Sequence, residues 1–439
     1  MSKFLYMPIE IAARELDSRL LISLFAVKEG LEVVIGPKWL LQKNVKWVPK
    51  GFWIFKTLTP GDAKYMRRAK KAGHRIGAID EEMPGLGESS HQLRWVDQSA
   101  VQLSDTIFCQ GKQHQDVLKK AYPEKAERLI ITGNPRWDLL RPELRELFSE
   151  EVKAITSRLG RIILINTNAG LINSAKKSFD GHVKDSARDG RLNLNLEEDR
   201  CYVDDDRAFQ TANLTATPPL ARRLSKEFPE YTVVLRPHPN EDVHFYETAL
   251  KDISNVKIIR EGSVVSWLLA SDALIHTGCT TASEAFALGK PAISFETKPS
   301  PFHNYLLSGA FSTITKDEND LIERLKATLS GVINKSEEEK RKGTFTNFFA
   351  SQSGTFAAQK IAHYIAHSVD ICTRERSQTW KRGILFRKKW WPSAHQRRMF
   401  PLITADEIKE RIQTLAGPLG SAYIPHVDQL GDGQFRLYL

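Results

Sequence analysis

The sequence predicts an α/β fold class arranged as two similar halves, and three observations carry that expectation. Short β-branched runs alternate with helical stretches along most of the chain. Most of these runs end in a loop rich in polar residues, where open parallel sheets bind their ligands. The alternation pauses near residue 150 and resumes with the apolar run RIILIN at 161–166. Twin Rossmann-like domains facing a cleft are therefore expected, followed by a basic C-terminal extension.

In the first half, strands are predicted at 3–7, 31–35, 53–56, 75–79, 106–109 and 129–132. An amphipathic helix over 10–29 stops at Gly30, a residue that readily ends helices. In the second half, strands are expected at 161–166, 231–235, 256–259, 273–276 and 292–295. The polar stretch 173–206 reads as a mobile insertion with short helices, the usual place for a lid. The expected organisation is a first domain over 1–150 for acceptor and catalysis and a nucleotide-binding domain over 151–345. A closing helix over 346–370 and a basic aromatic tail over 371–439 complete it.

Composition limits the function classes. The 439 residues are 41% hydrophobic and 26% charged, which is globular rather than disordered. Lys and Arg number 63 against 53 Asp and Glu, a net +10 that suits an anionic partner. The four cysteines, Cys109, Cys201, Cys279 and Cys372, have neither disulfide-scaffold nor metal-ligand spacing. No run approaches the ~18 apolar residues of a membrane span, and no signal-peptide core is evident. A cytoplasmic protein, peripheral on the inner face of the membrane, is the expectation. No helix-turn-helix, zinc-finger or RNP pattern supports nucleic-acid binding.

Four groups of residues are candidates for chemistry. Arg236 and His238, in the strand-end loop RPHP, can grip a phosphate. Thr277, Thr280, Thr281, Ser283 and Glu284 follow the strand ALI; hydroxyls and a helix N-terminus suit phosphate, and a carboxylate suits ribose hydroxyls. An ordinary helix cap needs only one such hydroxyl. Asp80, Glu81 and Glu82 end another strand; their mutual repulsion raises the pKa of at least one if the loop is buried, and such a group can act as base, acid or nucleophile, or the run is a solvated acidic turn. Glu10, Arg14, Asn134, Arg136, Asp138, Asn166 and Asn168 occupy further strand ends and can orient a sugar, or serve as turn and packing residues. No metal ligand set and no cofactor are expected.

The segments YMPIEIAARELDSRLL, DEEMPG, TGNPRWDLL, ILINTNAGLIN, VVLRPHPNED and HTGCTTASEAFALGKPAISF resemble the bacterial surface carbohydrate biosynthesis proteins over residues 3 to about 365. That group looks like GT-B glycosyltransferases and, more distantly, is similar to CMP-sugar sialyl and Kdo transferases. The resemblance implies that His238 contacts the nucleotide phosphate, that Thr280, Thr281 and Ser283 supply its hydroxyl cradle, and that the acidic loop supplies the catalytic carboxylate. Met83-Pro84 precedes Gly85 where the sialyltransferase motif has Gly directly, so the choice among Asp80, Glu81 and Glu82 stays open. The activity implied is transfer of a CMP-activated ulosonic acid from a nucleotide-sugar donor to a glycan or lipid-linked acceptor. Alternatives are a CDP-alcohol glycerophosphotransferase of the teichoic-acid type, a nucleotide-sugar epimerase, and a non-catalytic glycan- or nucleic-acid-binding protein. Residues 377–398 interleave Lys and Arg with Trp380, Trp390 and Trp391, as a segment docking on an anionic membrane would.

Overall fold

The computed structural model describes residues 3–81, 93, 95–302, 307–332, 334–368, 392–421 and 423–439. Glu82 and most of the 377–398 segment lie outside them. The chain divides into two compact units. One holds Met1–Pro84, Trp95–Leu147 and Thr346–Leu439; the other holds Gly85–Arg94 and Phe148–Phe345. No helix among the described residues is long and apolar enough to cross a membrane.

The first unit is built on β1 (Lys3–Ile9), β2 (Leu31–Pro37), β3 (Gly51–Phe55), β4 (Arg75–Ala78), β5 (Thr106–Cys109) and β6 (Leu129–Ile131). All six run parallel, in the spatial order β2-β1-β3-β4-β5-β6. Their side chains are almost wholly buried, as a parallel sheet covered on both faces requires. Tyr6 and Trp53 stack at 4.7 Å in its centre, and the Tyr6 hydroxyl donates to the Pro49 carbonyl at 2.8 Å. Gly77 lets β4 pass the rings of Phe52 and Phe108, where a Cβ would sit 2.6 Å from Phe52.

The second unit contains β7 (Ile162–Asn166), β8 (Thr232–Arg236), β9 (Val256–Ile258), β10 (Ala273–His276), β11 (Ala292–Phe295) and β12 (Thr313–Thr315). They form a parallel sheet ordered β12-β11-β10-β7-β8-β9, the doubly wound order in which the direction of strand addition reverses between β7 and β10. The register sets Asn166 beside both Arg236 and His276 at the carboxyl edge. Beneath that edge, Ile163, Ile165, Val233, Leu235, Ile275 and Ile293 belong to one core cluster.

The insertion 173–206, expected to carry only short helices, departs from that in one helix. It contains the helix Phe179–Arg188 and the start of a 31-residue helix, Glu197–Glu227. Pro218 and Pro219 lie inside that long helix, yet Phe209, Leu220, Ala221 and Leu224 are buried along it. Packing of that apolar stripe outweighs the lost backbone bonds. Gln210 also accepts the Leu171 amide at 3.0 Å, tying the helix to the loop after β7.

The expected C-terminal tail differs as well. Helix Ala405–Ala416 buries Ile408, Ile412 and Leu415, and its Arg411 pairs with Asp17 of helix Ala12–Lys28 at 2.8 Å. Then β13 (His426–Gly431) and β14 (Gln434–Tyr438) form a hairpin, and β14 pairs antiparallel with β2, extending the first sheet to eight strands. The hairpin covers an edge that β2 would otherwise present bare.

Candidate active sites at two strand-end edges

In the second unit, the loops after β7, β8 and β10 converge at the reversal of strand order. The Asn168 amide donates to Thr277 Oγ1 at 3.1 Å, and Asn168 Nδ2 to the Gly278 carbonyl at 3.0 Å. Asn166 Nδ2 donates to Thr281 Oγ1 at 3.0 Å, while its buried Oδ1 has no hydrogen-bond partner. Thr277 and Ser283 are buried, Thr281 and Glu284 half-buried, and Thr280 exposed. Thr280 stands at the cap position of helix Thr281–Ala287, but its side chain makes no capping bond. Gly278 takes a φ of +81°, which a side chain rarely tolerates.

His238 is half-buried, and its Nδ1 accepts the Asn240 amide at 3.2 Å. In a neutral ring, the proton therefore sits on Nε2 as a donor. Gly170 makes room for this ring, since a Cβ there would lie 2.8 Å from His238 Nδ1.

Glu241, which the sequence reading passed over, organises these loops. Fully buried, it accepts from the Thr167 hydroxyl at 2.8 Å, the Ala169 amide at 2.9 Å, the His238 amide at 3.3 Å and the Tyr246 hydroxyl at 2.6 Å. Its only sequence signal was an acid three residues after the histidine.

Arg236 does not lie as a phosphate clamp. Its Nη1 and Nη2 donate to the Glu261 and Gly262 carbonyls at 2.6 and 3.3 Å, and its guanidinium sits over Trp267. Burial lowers its pKa to about 10.

In the first unit, strand order reverses between β1 and β3, and charged groups collect there. Lys56, after β3, reaches Glu10 Oε2 and Glu15 Oε1, each at 3.2 Å. Glu15 also accepts the Glu10 and Ile11 amides, closing the N-terminus of helix Ala12–Lys28. Lys38 pairs with Asp62 at 2.7 Å. Glu10 is held below the usual carboxylate range: burial opposes this, and Lys38 and Lys56 prevail.

After β4, Asp80 adopts a φ of +47°, with its carbonyl held by Gln110 Nε2 at 2.7 Å. The Glu81 amide donates to the Lys56 carbonyl at 2.9 Å. The Glu81 side chain is wholly buried against Arg19 at 2.9 Å. Its pKa runs opposite to the expected rise. Burial pushes it up, but Arg19, then Arg136, Arg14 and Lys56, bring it below the ordinary value. Glu81 is thus an ionised carboxylate whose Oε2 has no hydrogen-bond partner. Arg14 and Arg136, from different strand ends, act on it together.

Asn134 and Asp138 take structural positions. Asn134 caps the turn Pro135–Asp138, accepting the Arg136 amide at 2.9 Å. Asp138 accepts the Ala357 and Ala358 amides at 3.0 and 2.8 Å, capping a helix some 219 residues downstream in the chain. Burial pushes its carboxyl up to about 7 against those two bonds and Arg141.

Burial lowers His74 and His114 to about 4 and His276 to about 3. His276 shapes the loop after β10: its Nδ1 accepts the Gly278 and Cys279 amides, and Nε2 meets Ser312 Oγ at 2.7 Å. Below pH ~6.5 the unfolded chain binds protons that these buried rings refuse, so each histidine removes about 1.4 kcal/mol of stability per pH unit, down to its folded pKa. Asp138 acts oppositely, because its folded pKa lies above the unfolded value of about 3.9; its penalty fades as pH falls from 7 towards 4. It offsets one of the first unit's two histidines, leaving His276 unopposed among these groups in the second. Denaturant unfolding at pH 7, 6 and 5 is expected to show falling stability, with a flatter profile in His276→Gln.

No protein-family model and no curated protein matches the chain. Solved structures do. A UDP-N-acetylglucosamine 2-epimerase, assigned as putative, from Listeria monocytogenes aligns with a TM-score of 0.52 at 14% identity, covering 83% of this chain and 96% of its own. S. aureus MnaA with UDP also aligns at 0.52, with 12% identity and coverage of 85% and 99%. A histidine variant of the wall teichoic acid polymerase TagF aligns at 0.50, with 16% identity and coverage of 83% and 88%. The fold is GT-B-like. At these identities the likeness extends to the architecture of the two Rossmann-like units.

Proposed function

We propose that this chain is a nucleotide-sugar-dependent enzyme of bacterial surface-glycan assembly, transferring a glycosyl group to a glycan or lipid-linked acceptor. The observation that carries this reading is the convergence at the β7/β10 reversal. There Asn166 Oδ1 is buried without a partner, the exposed Thr280 hydroxyl caps nothing, and the His238 ring stands among the same loops with its Nδ1 fixed by the Asn240 amide. Such an edge suits a nucleotide and its departing phosphate. In the proposed reaction, His238 and the hydroxyls stabilise the leaving phosphate, and the acidic loop after β4 is the proposed source of the catalytic carboxylate.

The proposed donor is a CMP-activated ulosonic acid. With Arg236 committed to backbone carbonyls, the loops offer mainly hydroxyls, amides and one histidine, a better match to a monophosphate than to a diphosphate. A second reading, epimerisation of a UDP-sugar, is favoured by the likeness to a UDP-N-acetylglucosamine 2-epimerase and to MnaA with UDP. The likeness to TagF supports transfer from a CDP-alcohol as the third.

Calorimetric titration with CMP, CDP and UDP tests these readings. CMP is expected to bind most tightly, and His238→Ala to weaken it roughly tenfold to a hundredfold, the cost of a charge-assisted hydrogen bond. Gly170→Ala should weaken binding too, because its Cβ displaces the same ring. UDP selectivity would transfer the assignment to the epimerase and CDP selectivity to the alcohol-phosphate transferase. Absence of binding by all three would overturn a nucleotide-dependent function.

A further inference from the structure

A cluster of metal-ligating side chains lies in the first unit. His363 and His367 stand one turn apart on helix Ala357–Ser368, which packs on helix Ala12–Lys28, and Glu29 caps the C-terminus of the latter. His363 Nδ1 is 3.2 Å from Glu29 Oε1, and His367 Nε2 is 2.8 Å from Glu29 Oε2. The two ring centroids are 4.4 Å apart, and the three donor atoms all lie within 4.8 Å of one another.

We propose that Glu29, His363 and His367 form a binding site for a divalent transition metal of the zinc class. Donors bound at about 2.0–2.2 Å around a tetrahedral ion sit about 3.3–3.5 Å apart, so small side-chain rotations bring this trio onto one ion. Two imidazoles and one carboxylate suit zinc, nickel or copper, whereas magnesium and calcium prefer all-oxygen shells. A metal meets all three donors at once. The side chains of His363 and His367 are 64% and 55% exposed, leaving further coordination positions to water. Binding clips the C-terminus of one helix to another through Glu29 and His363, which are 334 residues apart in sequence.

The test uses full-length protein stripped by chelator and titrated with zinc chloride, with magnesium chloride as control, by calorimetry and thermal shift. One zinc ion per chain is expected, with a raised Tm, and no response to magnesium. His363→Ala and His367→Ala should each weaken zinc binding by at least roughly tenfold, since even outer-shell changes at metal sites cost that much. Glu29→Gln should weaken it as well. His363→Gln, checked by circular dichroism, separates loss of a ligand from loss of folding. Zinc binding unchanged in both alanine variants would place the ion elsewhere and overturn the proposal. So would the absence of heat and of Tm shift at millimolar zinc.

Discussion

Glu81→Gln is expected to abolish turnover and to lower stability together. The carboxylate is wholly buried against Arg19, and three further cations, Arg136, Arg14 and Lys56, act on it. Removing its charge leaves Arg19 buried without its counter-ion, and Nε and Nη1 of that guanidinium already lack hydrogen-bond partners. Breaking one partner of such a pair costs about 3–5 kcal/mol, whereas replacing both by apolar groups of similar volume is often neutral. The charge-free pair Arg19→Met with Glu81→Leu should therefore recover most of the stability, measured by urea unfolding. Turnover separates the two roles of Glu81. If it takes the acceptor's proton, the double variant folds and stays inactive, with nucleotide affinity retained. Recovery of activity with stability would make the pair purely structural and move the catalytic role off Glu81.

Glu241→Ala should produce the second large effect, in the other unit. One carboxylate receives hydrogen bonds from Thr167, Ala169, His238 and Tyr246. Its loss strands several buried donors, each costing about 1–3 kcal/mol when left unsatisfied. Partial repair by water puts the expected loss at about 3–5 kcal/mol. Nucleotide binding should fall further than stability, because the loops after β7 and β8 lose their common tether. Tyr246→Phe removes one of the four bonds and is the graded control, expected to cost about 1–2 kcal/mol and little affinity. Equal nucleotide affinity in folded Glu241→Ala and wild-type protein would refute the tether.

The strand-end loops were legible because each follows a short buried run, and in an α/β chain such runs belong to a parallel sheet whose carboxyl edge binds ligands. His238, Asn166 and the Thr277–Ser283 turn lie together at one such edge for that reason. Arg236 was misread: residue type and position suggested a phosphate clamp, but the Glu261 and Gly262 carbonyls and Trp267 occupy its guanidinium. Asp138 looked like a sugar ligand, yet it caps a helix whose sequence position gives no hint of contact. The long helix Glu197–Glu227 was hidden by its charges and by Pro218-Pro219; its buried stripe becomes evident only against the sheet it covers.

By itself, the sequence determined the alternation of strands and helices, the two parallel sheets and the polar loops at their edges. Those features follow from periodic burial, a local property readable within a few residues. Only the tertiary structure decided which groups meet: Arg19 with Glu81, Glu241 with Thr167 and Ala169, Glu29 with His363 and His367, and β14 with β2. Ion pairs, caps and edge pairings depend on contacts between distant positions, and the strength of each is set by burial. Composition records neither.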